Sequence, residues 1–289
     1  MDLQDFKWKD NKQVFYISDS TLQGGIPLLK FHLFDRLSDV THAVTTRAGG
    51  VSEGMFSTLN LSYTRGDDEI AVDENFHRTA ISLSAKVADF VLTDQTHTDH
   101  VRVVTREDCG KGILRKRDYQ DVDGLITDEP GVVLAAFFAD CVPLLFADPV
   151  HGAVGVSHSG WRGTVARMGL ATVRAMQEAF GSRPQELYCA VGPSICQSCY
   201  EVSEDVAQQF LAEFPSEKER LCVPGAAGKY QLDLWKANEL VLKEAGILEE
   251  HLAVTNLCTC CNPKLLFSHR ASKGRRGNFG AFIKREERK

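Results

Sequence analysis

The sequence predicts an α+β fold: a layered sandwich of mixed, largely antiparallel sheets with helices outside. Three observations predict it. Apolar, β-rich runs recur along the chain, and two of them are joined by a tight turn over 148–152. Helical spacing is confined to a few windows. Strands and helices intermix without regular βαβ alternation, so several neighbouring strands must run antiparallel.

In chain order, residues 14–17 and 40–46 read as strands. Asp73 to Lys86 reads as a helix with Asp73 as its N-cap. Phe90–Leu92 and Val101–Val104 are short strands flanking the polar segment Thr93–His100. Val122–Thr127 and Val132–Phe138 are further strands. A hairpin follows, with Val142–Ala147 and Ala153–His158 as its arms and Asp148-Pro149-Val150-His151-Gly152 as its turn. Thr164 to Phe180 carries Val165, Met168, Thr172, Met176 and Ala179 at helical spacing, and Gly181 stops it. Leu187–Val191 is a strand ending at Gly192-Pro193. Ser203 caps a helix through Phe214, and Asp233–Ala245 forms another, closed by Gly246. Leu252–Asn256 and Leu265–Ser268 are the last predicted strands.

A chain of 289 residues can bury a large core, and no Pro/Ser-rich linker divides it, so residues 1–289 are expected to form a single domain. A net charge of −6 argues against a nucleic-acid binder held by phosphate contacts. The N-terminal segment is charged and lacks the apolar core of a signal peptide. The longest apolar run, Val132–Phe146, is broken by Asp140 and is too short to span a bilayer. A soluble cytoplasmic protein is expected, without membrane or nucleic-acid partners. Nine dispersed cysteines fit reduced thiols better than a disulfide framework.

The hairpin also carries the leading chemistry. Folding its turn about Val150 places Cys141 opposite His158 or its neighbour. Facing Cβ atoms lie roughly 4.5–5.5 Å apart, which suits a shared metal ion or a thiolate–imidazole pair. A catalytic zinc takes three protein ligands and leaves one position open. The polar loop Gln95–His100 offers the third, and spacing alone does not separate His97 from His100. Without a metal, Cys141 would be a nucleophile and His158 its base.

Anion-binding candidates sit in three loops. Arg47 lies in a Gly-rich turn, Arg162 at a helix start after the Gly-Trp pair, and Arg270 after the late strand; such side chains clamp phosphate bidentately. Arg275 and Arg276 read as ordinary surface charge. Trp161 offers an indole face for a planar ligand or packs near the turn. Cys196/Cys199 and Cys258/Cys260/Cys261 form two thiol clusters that could share a structural zinc, although C-x-C-C is not the usual knuckle spacing. Two classes are disfavoured. The chain has no His-x-His and no His-Cys-His, which counts against a four-copper oxidase. The H-x-E…P-C-x-x-C signature of zinc deaminases is also absent.

The segments TTRAGGVSEGMFSTLNLSYTRGDD, DQTHTDHV, VDGLIT, ADCVPLLFADP, AVGVSHSGWRGT, GPSICQSCYEV and LDLWKAN occur in this order. Together they resemble the laccase-domain purine nucleoside phosphorylase family, also called polyphenol oxidase-like or multicopper polyphenol oxidase proteins. The resemblance runs from about Thr41 to Ile283. It implies a layered α+β sandwich similar to deamidating toxins with a Cys–His pair. It implies one catalytic zinc on His97, Cys141 and His158, which selects His97 over His100. The implied activity is phosphorolysis of adenosine, inosine and methylthioadenosine, with adenosine deamination; Asp140 is the candidate proton shuttle, and Arg47, Arg162 and Arg270 the candidate phosphate contacts. The chain departs from the family at Ser159, at Thr98 and in the tail from Ser268 to Asn278. The alternatives are a metal-free Cys–His amidohydrolase, a non-catalytic nucleoside sensor and a copper-dependent polyphenol oxidase.

Overall fold

The computed structural model describes residues 2–287. Its strands are β1 Phe15–Asp19, β2 Pro27–Phe31, β3 Val40–Thr45, β4 Phe90–Leu92, β5 Val101–Val103, β6 Gly124–Thr127, β7 Val133–Phe138, β8 Val142–Asp148, β9 Ala153–Ser159, β10 Tyr188–Val191, β11 Glu201–Ser203, β12 Cys222–Pro224, β13 Lys229–Leu232, β14 Leu252–Val254 and β15 Phe279–Arg285. Its α-helices are α1 Glu69–Ser82, α2 Trp161–Val165, α3 Met168–Phe180, α4 Glu204–Glu213, α5 Lys218–Leu221 and α6 Leu234–Glu244. No helix among the described residues is long and apolar enough to cross a membrane.

The strands form two six-stranded sheets, β1-β2-β3-β15-β7-β4 and β14-β10-β8-β9-β6-β5, and a small third sheet, β11-β13-β12. Pairing is antiparallel except for β4/β7, β10/β14 and β5/β6, as the mixed, largely antiparallel expectation required. The two large sheets face each other. Alternate residues such as Leu134, Ala136, Phe138 and Ile283 of the first sheet and Leu125, Leu145, Val154 and Val156 of the second build the central core. The opposite faces are covered too. Phe90, Val133 and Phe282 pack against Val72 and Phe76 of α1. Phe146, Val142 and Cys189 pack against Val173 of α3, Phe210 of α4 and Val241 of α6. Because both faces are covered, β8 and β9 are buried at every position and read as near-continuous apolar runs.

Several local expectations are corrected. The helix after β3 starts earlier: Asp68, not Asp73, caps it by accepting from the Ile70 amide, and Asp73 lies inside the helix and binds the Tyr63 hydroxyl. The 164–180 helix is two pieces. Arg167 takes a left-handed φ of 65° between α2 and α3, held by Glu244, the Glu213 carbonyl and the Phe214 ring. Leu265–Ser268 is not a strand; Leu265 and Leu266 donate back to the Asn262 carbonyl in a turn, and Leu266 and Phe267 are buried without a ladder. Central β15, lying between β3 and β7, was not predicted, nor was β2.

The hairpin arms match their prediction, but the register differs. Val142 faces Ser159 and Pro143 faces His158, so Cys141 lies one step beyond the ladder, level with Gly160. The turn is tight because the Asp148 carboxylate accepts from the Val150 and His151 amides. What brings Cys141 to His158 is therefore not facing strands. It is a crossing: the chain leaves the first sheet at Phe138, turns through Ala139–Cys141 and enters the second sheet as β8. The 93–100 segment makes a similar crossing from β4 to β5.

Candidate metal centre

Both crossings end at one point. His97 and Cys141 come from the loops and His158 from the end of β9, and their ligand atoms lie within 4.8 Å of one another. Cys141 Sγ is 3.9 Å from His97 Nε2. His158 is buried, Cys141 half-buried and His97 exposed, so the cluster is open on one side. The open side faces a cleft of about 1250 Å³ whose lining includes all three residues.

Each donor is aimed by its surroundings. Gln95 exchanges two side-chain hydrogen bonds with the backbone of Phe137, at 2.7 and 2.8 Å, and so pins the His97 loop to β7 as an extra strand residue would. His97 then sits at φ 70° and Asp140 at φ 91°, a left-handed region that costs non-glycine residues energy and persists only where neighbours enforce it. The enforcing group for His97 is Asp123. This buried carboxylate accepts from the amides of Thr96, His97 and Thr98 and from the Thr98 hydroxyl. It also accepts from His158 Nδ1 at 2.7 Å, which turns the other ring nitrogen toward the cluster. A carboxylate behind a ligand imidazole is the usual outer partner of a metal site. Sequence reasoning missed Asp123, although it stands in the V-D-G-L-I-T segment.

Gly160 makes the last allowance. A Cβ there would lie 2.7 Å from His97 Cδ2 and 3.1 Å from Cys141 Sγ. Only glycine lets the loop, the thiol and the strand end converge.

Charge follows from this packing. Burial disfavours the Cys141 thiolate, but His158 and His97 outweigh it and lower the thiol to about 6. Burial likewise opposes the His158 cation, yet the Cys141 thiolate and Asp123 raise it to about 9. Asp123 is held below the usual carboxylate range despite burial, by His158 and the loop amides. The donor set is thus one ready thiolate and two imidazoles with an open face, a composition that fits a catalytic zinc.

The remaining predicted residues scatter. Asp140 is buried, and its oxygens accept from the Thr259 hydroxyl at 2.6 Å and the Arg270 amide at 2.7 Å. Arg47 donates to the carbonyls of Ser57, Pro263 and Met55 and lies over the Phe267 ring. Arg270 donates to the carbonyls of Cys199 and Glu201. Arg162 is exposed and stacks on the Trp161 ring. None of these three arginines lines the cleft. His100 is turned to the Asp121 carbonyl. The cleft is instead lined by Arg276, Arg65, Arg115 and Arg117, the last paired with Asp94. Arg276 Nε is buried without a hydrogen-bond partner among the described residues, and burial beside Arg65 lowers that guanidinium to about 10. Reading Arg276 as surface charge is therefore corrected. The signal that pointed to it was the Arg-Gly-Asn stretch before an unrecognised central strand.

Two relatives and one solved structure frame these observations. The chain is 38% identical over 253 residues to purine nucleoside phosphorylase YlmD of Bacillus subtilis, covering 86% of this chain and 90% of that protein. It is 32% identical over 246 residues to adenosine deaminase RL5 of an unknown prokaryotic organism, covering 85% and 94%. The crystal structure of YlmD from Geobacillus stearothermophilus superposes with a TM-score of 0.86 at 35% identity, covering 96% of this chain and all of that one. The model of the multi-copper polyphenol oxidoreductase laccase family matches residues 41–286, and with these relatives it shows that the chain belongs to that family of enzymes.

Proposed function

We propose that this chain is a zinc-dependent purine nucleoside enzyme. It splits adenosine, inosine and methylthioadenosine with phosphate into free base and sugar-1-phosphate, which is ribose-1-phosphate from the first two and its 5-methylthio derivative from the third, and it deaminates adenosine. The observation that carries the reading is the open His97–Cys141–His158 cluster at a cleft also lined by Arg65, Arg115, Arg117 and Arg276. The substrate class comes from the relatives named purine nucleoside phosphorylase and adenosine deaminase.

A zinc held by His97, Cys141 and His158 would supply Lewis-acid polarisation and lower the pKa of bound water to roughly 7. The chain's own residues do the rest. Asp123 orients His158 and locks the His97 loop. Arg276 and Arg65 attract the phosphate dianion and the negative charge it carries to the sugar. Asp140, bound on both oxygens, positions Cys141. With both oxygens engaged in this way, Asp140 acts as a positioning residue and not as a proton shuttle. Copper chemistry is less well supported: among the described residues only one candidate cluster contains histidine, so a multicopper relay lacks a second station.

The test is to purify the full chain, measure bound metals and incubate it with adenosine, with and without phosphate, before and after chelation. The expected result is zinc, with phosphate-dependent release of adenine and ribose-1-phosphate that chelation abolishes. No turnover of any nucleoside at full zinc occupancy overturns the reading. Activity that survives chelation but is lost in Cys141→Ser would replace it with the metal-free Cys–His mechanism.

A further inference from the structure

Four cysteines outside the cleft meet at one point. Cys196 and Cys199 come from the turn after β10, and Cys258 and Cys261 from the turn after β14. Their four sulfurs lie within 4.8 Å of one another, and Cys199 Sγ is 3.5 Å from Cys261 Sγ. The spacing is C-x-x-C in both turns, with Cys260 standing outside the set. Reading the second cluster as C-x-C-C hid this symmetry.

We infer that these four thiolates hold a structural zinc, separate from the cluster in the cleft. Tetrahedral zinc with Zn–S bonds near 2.3 Å sets its sulfurs roughly 3.8 Å apart, so closure needs shifts of no more than about 1 Å. An iron–sulfur cluster interposes its own sulfides and irons and would hold the cysteines farther apart. Two cationic or polar donors already face the sulfurs. The Cys196 amide donates to Cys258 Sγ at 3.3 Å, and the Lys9 ammonium lies against Cys196 and Cys261. Such donors offset the double negative charge of a zinc tetrathiolate. The turns are also held in place independently: Thr259 donates its amide to the Ser194 carbonyl, and the Trp235 indole donates to Ser194 Oγ at 2.8 Å. The site is closed by protein ligands, as structural zinc sites are.

Its position gives it a role. Thr259 lies between Cys258 and Cys261, and its hydroxyl binds Asp140, the neighbour of Cys141. Arg270 joins the same carboxylate to the Cys199 carbonyl. The four-thiolate metal thus braces the turn that presents Cys141 to the cleft. It is a positioning device and touches no reacting atom.

The experiment is metal analysis of the full chain purified under reducing conditions after zinc-supplemented expression. The wild type should hold two zinc ions per chain. His97→Ala and the Cys199→Ser/Cys261→Ser double variant should each lose one, and not the same one. If the cysteine variant does not fold, His97→Ala alone still decides. Its cobalt-substituted form should show the strong thiolate-to-cobalt absorption and tetrahedral bands of an all-sulfur site. One zinc in the wild type, lost in His97→Ala, overturns the inference. So does iron at the second site, or a Cys199–Cys261 disulfide found by peptide mapping. These readouts are independent of nucleoside turnover, so they stand or fall apart from the proposed activity.

Discussion

The molecule carries two cysteine-containing clusters that differ in composition, exposure and support. The cleft cluster has two imidazoles and one thiolate, spans two sheet-to-sheet crossings and a strand end, and leaves one face open. The other has four thiols on two turns, with no imidazole among them. Three donors with an open position suit chemistry, and four donors without one suit architecture. The supports match these roles. Behind the cleft cluster stands a buried carboxylate, Asp123, that sets ring orientation and proton position. Behind the four-thiol cluster stand a backbone amide and a lysine that neutralise charge. The two are coupled through Thr259 and Asp140, so the closed site steadies the open one.

The sharpest way to test this division is to remove one ligand from each cluster. His97→Ala or His97→Asn, at the exposed ligand, should lower nucleoside turnover by more than about 100-fold, beyond the loss usual for an outer partner of a metal ligand, with little change in thermal stability. Cys199→Ser should reverse the order. Its melting temperature should drop by several degrees, while turnover per folded molecule falls less than in the cleft variants. Calorimetry and steady-state kinetics on both variants check the contrast. Equal effects on both quantities in both variants would erase the distinction.

Asp123→Asn comes next. The amide keeps the shape and can still face the His158 ring, but it removes the charge that favours the proton at Nδ1. Zinc affinity measured by chelator competition should fall about 10–100-fold. The Cys196–Cys261 site, remote from Asp123, should keep its metal.

A pH series separates the clusters further. In the metal-free chain Cys141 loses its proton at about 6 and His158 at about 9, so between these values the pair is thiolate and imidazolium. Relative to the unfolded chain, the lowered thiol adds stability that is lost as pH falls through about 6. The raised imidazole adds stability that is lost as pH rises through about 9. Across the window between, folded and unfolded chains each hold one proton on the pair, and its net effect on stability is flat. Zinc uptake, by contrast, must expel the His158 proton. Affinity at the cleft site should therefore rise about tenfold per pH unit from about 6 to about 9, with about one proton released from this pair. Isothermal titration in buffers of differing ionisation enthalpy measures that proton.

The sandwich was legible because strands such as β7 and β8 are largely apolar and its longer helices are amphipathic. The hairpin arms, α6 with its Asp233 cap and the Gly181 stop of α3 all follow from local chemistry. What local chemistry hides is long-range. β15 is central in the first sheet, yet its sequence ends in Lys284 and Arg285, and Lys284 is buried only because its ammonium reaches the Ser84 carbonyl and Glu286. The convergence of Cys141 with His158 was visible, but for the wrong reason. Strand register alone separates them by two steps, and the crossing between sheets brings them together. The arginines were the least legible of all. Whether a guanidinium is free depends on carbonyls far away in sequence, as Arg47 shows with Pro263.

That last point gives the smallest predicted effect and a direct comparison of two arginines. Arg276 lines the cleft with an Nε that has no partner among the described residues, whereas Arg47 is bound by three carbonyls and a ring face. Arg276→Ala should raise the KM for phosphate about fivefold, the worth of roughly 1 kcal/mol for one charge-assisted contact partly screened by solvent, and leave the melting temperature nearly unchanged. Arg47→Ala should do the opposite. It removes the donor shared by the Ser57, Pro263 and Met55 carbonyls and uncovers the buried Phe267, so it should cost about 0.5–1.5 kcal/mol of stability with no specific change in phosphate KM. Phosphate titrations and denaturant unfolding on the two variants decide it. If Arg47→Ala alone weakened phosphate, the anion would bind at the Gly-rich turn, and the cleft would lose its claim to both substrates.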